Sequence, residues 1–461
     1  MASLSPRWPL ATFRQTPAPE RSRASDSGRS SARFARLALT EAFERFSLHG
    51  VKALLTIYVL TIVIPGGLDR VSGMAALRAG MEAVTGPTSD LAFASQLYGL
   101  YGALSYLMLP LGGWLADRVI SRRHAIVMGA VLMGFGHLCM TQVPLLLIGL
   151  LALAIGTGCL KGNLAAEVAM VHPHDGSRRD RAFLTYLGFL NIGAMLGPLL
   201  CGLLAQDWGW DYAFGAAAGG MSIALALFLT APAGQSVVAT RAGVENVRPD
   251  FGRVLLVVLS VTLCFCAYEQ LTNMMLVWVR DRVDLTIGGF AMPPSWLAAC
   301  DGAFTILLVI VGTRVWPWLA RHGMEPGSVM KLMLGCLAVA SGYGLLAIAA
   351  GGAPVVGRIG LGGPLLVLLL LDIGIVLAWP AALALITGAA GGGRIGLYVG
   401  LFYLHGFVAN LVVGRIGGLY GTMPDAQFWL IHAAIAVAGA AAAAAIRDQP
   451  TATSIAASTS A

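Results

Sequence analysis

Long apolar segments recur along the whole chain and constrain its fold more than any other feature. The 461 residues are 57% hydrophobic and only 11% charged, whereas soluble globular domains contain about 25% charged residues. Most of the segments are long enough to cross a hydrocarbon core of about 30 Å as a helix, so the sequence predicts an all-α membrane protein with about twelve transmembrane helices. Their predicted starts lie near Leu37, Phe93, Ala125, Pro144, Phe183, Tyr212, Val254, Ser295, Met330, Pro364, Ile395 and Phe428.

Basic residues are concentrated in alternate connections between the apolar segments. Counting from a cytoplasmic N-terminus, the inside connections contain arginines around residues 118–123, 178–181 and 241–248. Cytoplasmic loops of membrane proteins carry an excess of Lys and Arg, so topology explains the net charge of +7 without a nucleic-acid partner. We expect a multi-pass protein of the cell (inner) membrane, surrounded by membrane lipid, with both termini in the cytoplasm.

A polar connection from Ala231 to Asp250 divides the apolar segments into two sets. Many secondary transporters are built from paired halves, and the second segment of each set ends in Trp-Leu-Ala, at residues 114–116 and 318–320. The first residues are rich in Ser, Arg and Pro, which favours a disordered tail; an organelle transit peptide is the alternative. The predicted divisions are a disordered cytoplasmic tail at 1–36, an N-terminal six-helix bundle at 37–233, a cytoplasmic linker at 234–250, a C-terminal six-helix bundle at 251–447 and a disordered cytoplasmic tail at 448–461.

Four charged residues lie in the first apolar segment, namely Glu41, Glu44, Arg45 and Lys52. Each charge at the centre of a membrane helix costs about 2.5–3.5 kcal/mol on insertion scales, so such residues usually face a cavity and serve a function. Positions three and four apart share one face of a helix, which places Glu41 beside both Glu44 and Arg45. The alternative is that the cluster marks the solvated end of the helix, where long side chains reach water.

Further polar residues lie inside later apolar segments and come from both halves. A cavity between two bundles near the membrane midplane is where a secondary transporter binds its substrate and coupling ion. For any one of these residues the alternative is a polar side chain satisfied by a neighbour. The set comprises Lys161, Asn191, Glu269, Gln270, Asp301 and Asp372.

Several motifs resemble those of a known family. The segment EAFERFSLHG, which begins at Glu41, resembles the Glu-x-x-Glu-Arg-Phe signature of the proton-dependent oligopeptide transporters, a branch of the major facilitator superfamily. GTGCLKGN, which contains Lys161, and RAFLTYLGFLNIGAMLGP, which contains Asn191, are similar to the fourth-helix and fifth-helix motifs of this family. GGWLADRVISRR resembles the superfamily's loop between the second and third helices, and AYEQ and GLFYLHGFVANLVVG resemble the seventh and eleventh helices.

The resemblance implies a major facilitator fold and a proton-coupled symporter that imports di- or tripeptides, or peptide-like molecules, by alternating access. It implies proton coupling by Glu41, Glu44, Arg45 and Lys161, and a gating ion pair between Lys52 and Glu269. It also implies a substrate pocket, which we expect to be lined by Arg45, His49, Tyr106, Lys161, Asn191, Asp301 and Asp372.

The chain departs from the family pattern mainly in this pocket. Ile375 falls at the position of the family's tenth-helix glutamate, and Asp301 followed by glycine replaces an Asn-Pro pair. We expect Asp301 to supply the missing negative charge, with Asp372, one helical turn from Ile375, as the second candidate. His49 follows Leu48 where the family usually has two tyrosines; it is either a proton relay or a packing residue of the pocket.

Other functions remain as alternatives at the level of sequence. The altered pocket also suits another small solute or a drug, and a substrate-sensing receptor is the alternative from a different class. An enzyme is not expected, because the chain has no serine–histidine, Cys/His or His-Glu-x-x-His spacing, and no phosphate-binding loop indicates a nucleotide. The seven cysteines all lie in apolar segments without ligand spacing, so we expect neither a metal nor a cofactor.

Overall fold

The computed structural model describes residues 20–171, 176–232, 251–352, 358–388 and 395–446, and these ranges are almost entirely helical. In the first half, helix α1 continues through a π-helical turn at Val59–Val63 and ends at Gly66. Short 3₁₀ turns lie at Leu68–Arg70 and Val143–Leu145. The helices of this half are α1 (Glu20–Tyr58), α2 (Met74–Thr85), α3 (Asp90–Arg118), α4 (Arg122–Met140), α5 (Leu146–Ala169), α6 (Gly176–Asp207) and α7 (Trp210–Leu229).

The second half contains a broken helix and one small hairpin. Helix α8 (Phe251–Tyr268) changes to a 3₁₀ turn at Glu269–Thr272 and then to α9 (Met274–Arg282). Strands β1 (Thr286–Ile287) and β2 (Phe290–Ala291) pair antiparallel across Gly288 and Gly289. The remaining helices are α10 (Trp296–Arg321), α11 (Ser328–Gly351), α12 (Gly362–Gly388), α13 (Ile395–Gly417) and α14 (Asp425–Ala444).

Eleven of the described helices are long and apolar enough to cross a membrane. Helix α3, with 29 residues, is long enough as well, but Gln96, two serines and several tyrosines make it less apolar. The predicted helical, multi-pass architecture is confirmed. The β-hairpin is an exception to the all-α prediction: Gly288 and Gly289 have φ angles of 57° and 85°, and this sequence of positive angles favours a two-residue hairpin turn.

Helix α1 begins well before the membrane segment. The prediction of a disordered tail at 1–36 is wrong for residues 20–36, which form the first turns of α1. The helix starts directly after Pro19, a residue that is tolerated at a helix start and not in its interior. Arg33 pairs with Glu167 on α5, and Arg36 donates to the Thr230 hydroxyl. These contacts anchor the extension, whereas residues 1–19 lie outside the described ranges.

The two largest hydrophobic cores of the described residues lie mainly in the two halves of the chain. The first is built around Tyr58, Phe93 and Phe214, and the second around Trp278 and Trp429. The halves meet where α3 packs against α13, α6 against α10 and α1 against α9. The exact division into bundles at 37–233 and 251–447 stays a prediction, and the linker at 234–250 and the tail at 448–461 lie outside the described residues.

Two glycines allow helices to approach closely at the polar cluster. A Cβ atom on Gly193 of α6 would lie 2.0 Å from the carbonyl oxygen of Ala42 on α1. A Cβ atom on Gly406 of α13 would lie 2.3 Å from the ring of Tyr106 on α3. Small residues at such contacts are typical of membrane helices, which pack through close backbone approach. Both contacts bring polar side chains of neighbouring helices together.

Candidate functional site

The charged cluster of the first segment is buried on one face of α1. The Arg45 Nε atom lies 2.7 Å from Glu41 Oε1 and 3.1 Å from Glu44 Oε2. The three residues are between 0% and 3% exposed, so the alternative that they mark the solvated end of the helix is wrong. The neighbouring positions predicted from the helical spacing are confirmed.

The two glutamates of this cluster have different hydrogen-bond partners. Glu41 accepts from Arg45 and, through its other oxygen, from the hydroxyl of Tyr186 on α6 at 2.6 Å. Glu44 lies within ion-pair distance of Arg45, yet neither of its oxygens accepts a hydrogen bond from the described residues. A buried carboxylate without donors is costly unless it is paired or protonated. Glu44 is therefore the better placed of the two to take up a proton.

Lys161 on α5 faces this cluster without a direct ionic partner. Its Nζ atom lies 5.7 Å from the centroid of the Tyr106 ring, which is a cation–π geometry. The charges of Arg45 and Glu44 act on it at longer range. In the described part of the chain it forms no ion pair. An unpaired, partly buried ammonium group is available to bind a carboxylate.

The predicted ion pair between Lys52 and Glu269 is present. The Lys52 Nζ atom lies 2.6 Å from Glu269 Oε2, and the Tyr98 hydroxyl donates to the same oxygen at 3.2 Å. Lys52 belongs to α1 and Glu269 to the 3₁₀ turn that follows α8. The pair therefore joins the two halves of the chain. Its role as a gate stays a prediction.

A network of hydrogen bonds between uncharged side chains lies beside this ion pair and is not predicted from the sequence. The Thr56 hydroxyl donates to Asn273 Oδ1 at 3.0 Å, Asn273 Nδ2 donates to Ser95 Oγ at 2.8 Å, and Ser95 Oγ donates to the Gly414 carbonyl at 3.0 Å. It connects α1, α3 and α13 through the break between α8 and α9. The only signal in the sequence is the polar run Glu-Gln-Leu-Thr-Asn at 269–273 inside an apolar segment.

Asp301 and Asp372, predicted as alternatives, lie together in the second half. Asp301 on α10 is partly exposed and accepts a hydrogen bond from the Tyr268 hydroxyl at 2.5 Å. Asp372 on α12 is 0% exposed, and neither of its oxygens accepts from a described donor. Helices α10 and α12, which carry these residues, pack against each other, and the two carboxyl groups lie close enough to interact electrostatically. One site therefore contains both residues.

The other predicted pocket residues, Tyr106, Asn191 and His49, lie on α3, α6 and α1. Tyr106 packs edge-on against Phe265 of α8 with centroids 5.8 Å apart, and thus connects the halves. Asn191 donates to the Leu187 carbonyl of its own helix at 2.9 Å, which leaves its Oδ1 atom for other partners. His49 is partly buried and lies within the electrostatic reach of Arg45. Both of the roles considered for His49 stay predictions.

Comparison with known proteins identifies the fold. A family model described as Major Facilitator Superfamily matches residues 53–414, well over half of the chain. The chain belongs to the major facilitator superfamily. The predicted superfamily fold is thus confirmed.

Individual relatives of this superfamily member are named as peptide transporters. The peptide transporter YePEPT of Yersinia enterocolitica subsp. palearctica is 28% identical over 461 residues, covering 83% of this chain and 86% of its own. The di-/tripeptide transporter of Lactococcus lactis subsp. cremoris is 24% identical over 382 residues, covering 66% and 72%. A crystal structure of a peptide transporter POT in complex with sulfate matches with a TM-score of 0.78 at 20% identity, covering 90% of this chain and 94% of that chain. The resemblance to the proton-dependent oligopeptide transporters, stated from the motifs, is confirmed.

The arrangement places opposite charges on the two halves of the superfamily fold. The first half presents the free ammonium group of Lys161, and the second half presents the carboxyl group of Asp301. Tyr106 on α3 and Asn191 on α6 are the neutral residues predicted for this site. Tyr186, which donates to Glu41, lies in the same fifth-helix motif as Asn191, but nothing in the sequence distinguishes it as a partner of the cluster. A zwitterion with separated charges suits this distribution.

Proposed function

We propose that this protein is a proton-coupled symporter that imports di- or tripeptides, or peptide-like small molecules, across the inner membrane. The observation that carries the proposal is the buried Glu41–Glu44–Arg45 cluster beside the unpaired ammonium group of Lys161. Intramembrane charges of this kind commonly form proton relays or substrate sites in transporters. The peptide-transporting relatives YePEPT and the di-/tripeptide transporter of Lactococcus lactis support the substrate class.

Proton coupling in this proposal depends on Glu44. Protonation removes its charge and so weakens its attraction for Arg45, which lies 3.1 Å away. The electrostatic hold on Lys161 weakens at the same time, because Glu44 is one of the carboxylates that act on it. A cation released in this way binds the carboxylate of the substrate. Proton uptake and substrate binding then favour each other, as thermodynamic linkage requires.

The two charged ends of a peptide match the two halves of the site. Lys161, together with Arg45, binds the carboxylate, and Asp301 binds the ammonium group. Tyr106 and Asn191 supply neutral polar contacts between them. Asp372 is 0% exposed whereas Asp301 is partly exposed, so a substrate contacts Asp301 first. We infer no cofactor or metal for this site, whose chemistry requires only charge and protons.

The gate of the proposed cycle is the Lys52–Glu269 ion pair with its neutral network. It lies towards the end of α1 that is remote from the N-terminus, where the halves are in contact. With cytoplasmic termini, this end is extracellular, and the pair closes the extracellular side. Alternating access is then a movement of the bundle at 37–233 against the bundle at 251–447, around the substrate.

Uptake into proteoliposomes under an imposed pH gradient tests the proposal directly. Liposomes that contain the protein are expected to accumulate labelled di- or tripeptides when the outside is acidic, and to lose this accumulation with a protonophore. Single amino acids and other small solutes form the comparison set. Gradient-driven uptake of another solute without any peptide would support the alternative cargo. Binding without transport of any substrate would support the sensing receptor.

A further inference from the structure

A groove lies between the short helix α2 and the contact of α3 with α13. Its volume is about 470 Å³, within the range of about 300–1,000 Å³ that is typical of small-molecule sites. A Cβ atom added at Gly80, which lines the groove on α2, would meet nothing within 4 Å. The groove therefore has room for a ligand along α2. Its apolar wall consists of Leu77, Met81 and Val84 on α2, Leu100 on α3 and Leu411 on α13.

Two polar side chains that line the groove have few partners. Gln96 on α3 is 8% exposed, and its amide forms no hydrogen bond with a described residue. Arg415 on α13 is exposed, donates to the Thr85 carbonyl at 3.3 Å and forms no ion pair with a described residue. Buried polar groups are usually hydrogen-bonded, and charges within membrane helices are usually paired. Both side chains are thus available to a ligand that carries a negative charge and hydrogen-bond acceptors.

The polar and apolar groups of the groove lie at different depths in the membrane. Helices α3 and α13 pack antiparallel, since the first turns of α3 contact the last turns of α13. Arg415 lies in the last turn of a membrane span that ends at Gly417, with Gln96 near it. Leu411 and Leu100 are each one helical turn further from this end. The groove therefore places a charge near the membrane surface and apolar contacts below it, which is the order of groups in a phospholipid.

We propose that this groove binds one glycerophospholipid of the membrane, with its phosphate on Arg415 and Gln96 and an acyl chain along α2. Arginine binds phosphate through charge-assisted hydrogen bonds. A free anion would leave the apolar wall uncovered, and an uncharged lipid would leave Arg415 unpaired. Glu82 and Asp90, carboxylates of α2 and α3, pair with Arg78 and do not line the groove. The proposal goes beyond the proposed function, because it concerns a site that neither substrate nor protons occupy.

The lipid site takes its residues from both halves of the chain. Helices α2 and α3 belong to the first half and α13 to the second, and the bond from Arg415 to Thr85 joins them. The groove is therefore complete only while the halves are in contact at this end. A ligand that binds one arrangement better shifts the population towards it. A bound phospholipid thus favours the arrangement in which Lys52 and Glu269 are paired.

Two substitutions test the two parts of the site. Gly80→Phe fills the groove, and Arg415→Gln removes its positive charge but keeps a polar side chain. Native mass spectrometry of delipidated protein in detergent, titrated with dioleoylphosphatidylglycerol, measures the affinity. We expect wild type to bind one lipid at least about tenfold more tightly than either variant. Arg280→Gln should bind as wild type does, because Arg280 lies outside the groove and pairs with Asp281 at 2.7 Å.

Three further probes separate the parts of the lipid. Dioleoylphosphatidylcholine has the same phosphodiester and is expected to bind as well, whereas dioleoylglycerol and inorganic phosphate should each bind at least about tenfold more weakly. Lipid binding by Gly80→Phe or Arg415→Gln equal to that of wild type would overturn the proposal, and so would equal binding of dioleoylglycerol or of phosphate. Thermal melting without lipid shows whether each variant is folded. If Gly80→Phe is not, Arg415→Gln alone decides.

Discussion

The two carboxyl pairs of the molecule differ in what surrounds them. Glu41 and Glu44 lie on one helix, with Arg45 at 2.7 Å and 3.1 Å. Asp301 and Asp372 lie on different helices, with the hydroxyl of Tyr268 as the hydrogen-bond donor and no cation bound to either carboxyl group among the described residues. An opposite charge favours the ionised form of a carboxyl group, whereas burial and a like charge disfavour it.

This difference bears on which carboxyl group can release and take up a proton in each transport cycle. At Glu44, a cation is present to accept the negative charge when the proton leaves, so the proton can be exchanged in each cycle. At Asp372, the side chain is 0% exposed and neither oxygen accepts a hydrogen bond from a described donor. We therefore expect the first pair to couple transport to protons, and Asp301 of the second pair to bind the ammonium group of the substrate. Each of the following predictions tests one part of this contrast.

The largest effect is expected from Glu44→Gln. The amide mimics the protonated acid and cannot titrate, so gradient-driven accumulation should fall to the level of protein-free liposomes, while exchange of labelled for unlabelled peptide persists. Glu82→Gln is the matched control: Glu82 belongs to the short helix α2 and pairs with Arg78, far from the site. Unchanged pH-driven accumulation in Glu44→Gln would contradict the assignment of the exchangeable proton.

The second prediction concerns the negative charge of Asp301, which we expect to bind the ammonium group of the substrate. Asp301→Asn removes the negative charge of the partly exposed member of the second pair, whereas the first pair stays intact. If Asp301 binds the ammonium group, the preference of the transporter for a free dipeptide over the N-acetylated dipeptide should fall by about tenfold or more in this variant. Competition uptake measures this ratio. If Asp301→Asn still discriminates as wild type does, the ammonium group is bound elsewhere.

The third prediction tests how helix packing supports the first pair. Gly193→Ala places a methyl group 2.0 Å from the Ala42 carbonyl and 2.9 Å from Arg45 Cβ, so α6 must move away from the cluster. Overpacking of this kind costs about 1–3 kcal/mol, and we expect a lower Tm and weaker uptake. Gly188→Ala on the same helix is the control, since nothing lies within 4 Å of its added Cβ atom. Equal Tm values for the two variants would argue against tight α1–α6 packing.

A smaller, conformational effect is expected from Glu269→Gln. Loss of the charge weakens the 2.6 Å contact with Lys52, and the outward-open state should become more populated. A cysteine introduced at position 375 should then react faster with a membrane-impermeant reagent added outside. Glu325→Gln is a matched control, because Glu325 forms a Lys331 pair of the same 2.6 Å length on the surface. No change in reactivity would count against the gate.

The features that were predictable from sequence are local ones. Glu41, Glu44 and Arg45 share one helix, so their spacing fixes their relation wherever the helix packs. The ion pair between Lys52 and Glu269 was predictable only with the family resemblance, because the two residues lie far apart in the sequence. Composition alone predicts disorder at the helical start near Glu20, because the contact of Arg33 with Glu167 exists only in the folded bundle.

The features that were not predictable depend on contacts between distant segments. Asp301 and Asp372 looked like alternatives because nothing in the sequence shows that α10 and α12 bring them together. The bond from Tyr186 to Glu41 joins residues on α1 and α6. Asn273 carries no charge, so its presence in an apolar segment is a weaker sign of a functional site than a charged residue would be. The partners of such residues depend on how distant helices pack, and a single sequence does not show which helices pack together.

The smallest effect is expected from a carboxylate at the surface, which provides a reference for both buried pairs. Hydrogen bonds from Arg78 and Thr88 hold the pKa of the Glu82 carboxyl below its usual range. A lowered pKa in the folded state stabilises the protein above the ordinary pKa of about 4.3, and this contribution is lost as the pH falls through the lowered value. Glu82→Gln should therefore reduce the Tm slightly at neutral pH and less in acid. A Tm difference that does not depend on pH would show that the effect comes from the lost hydrogen bonds and not from the charge of Glu82. The comparison between a paired and an unpaired carboxyl group would then rest on the two buried pairs alone.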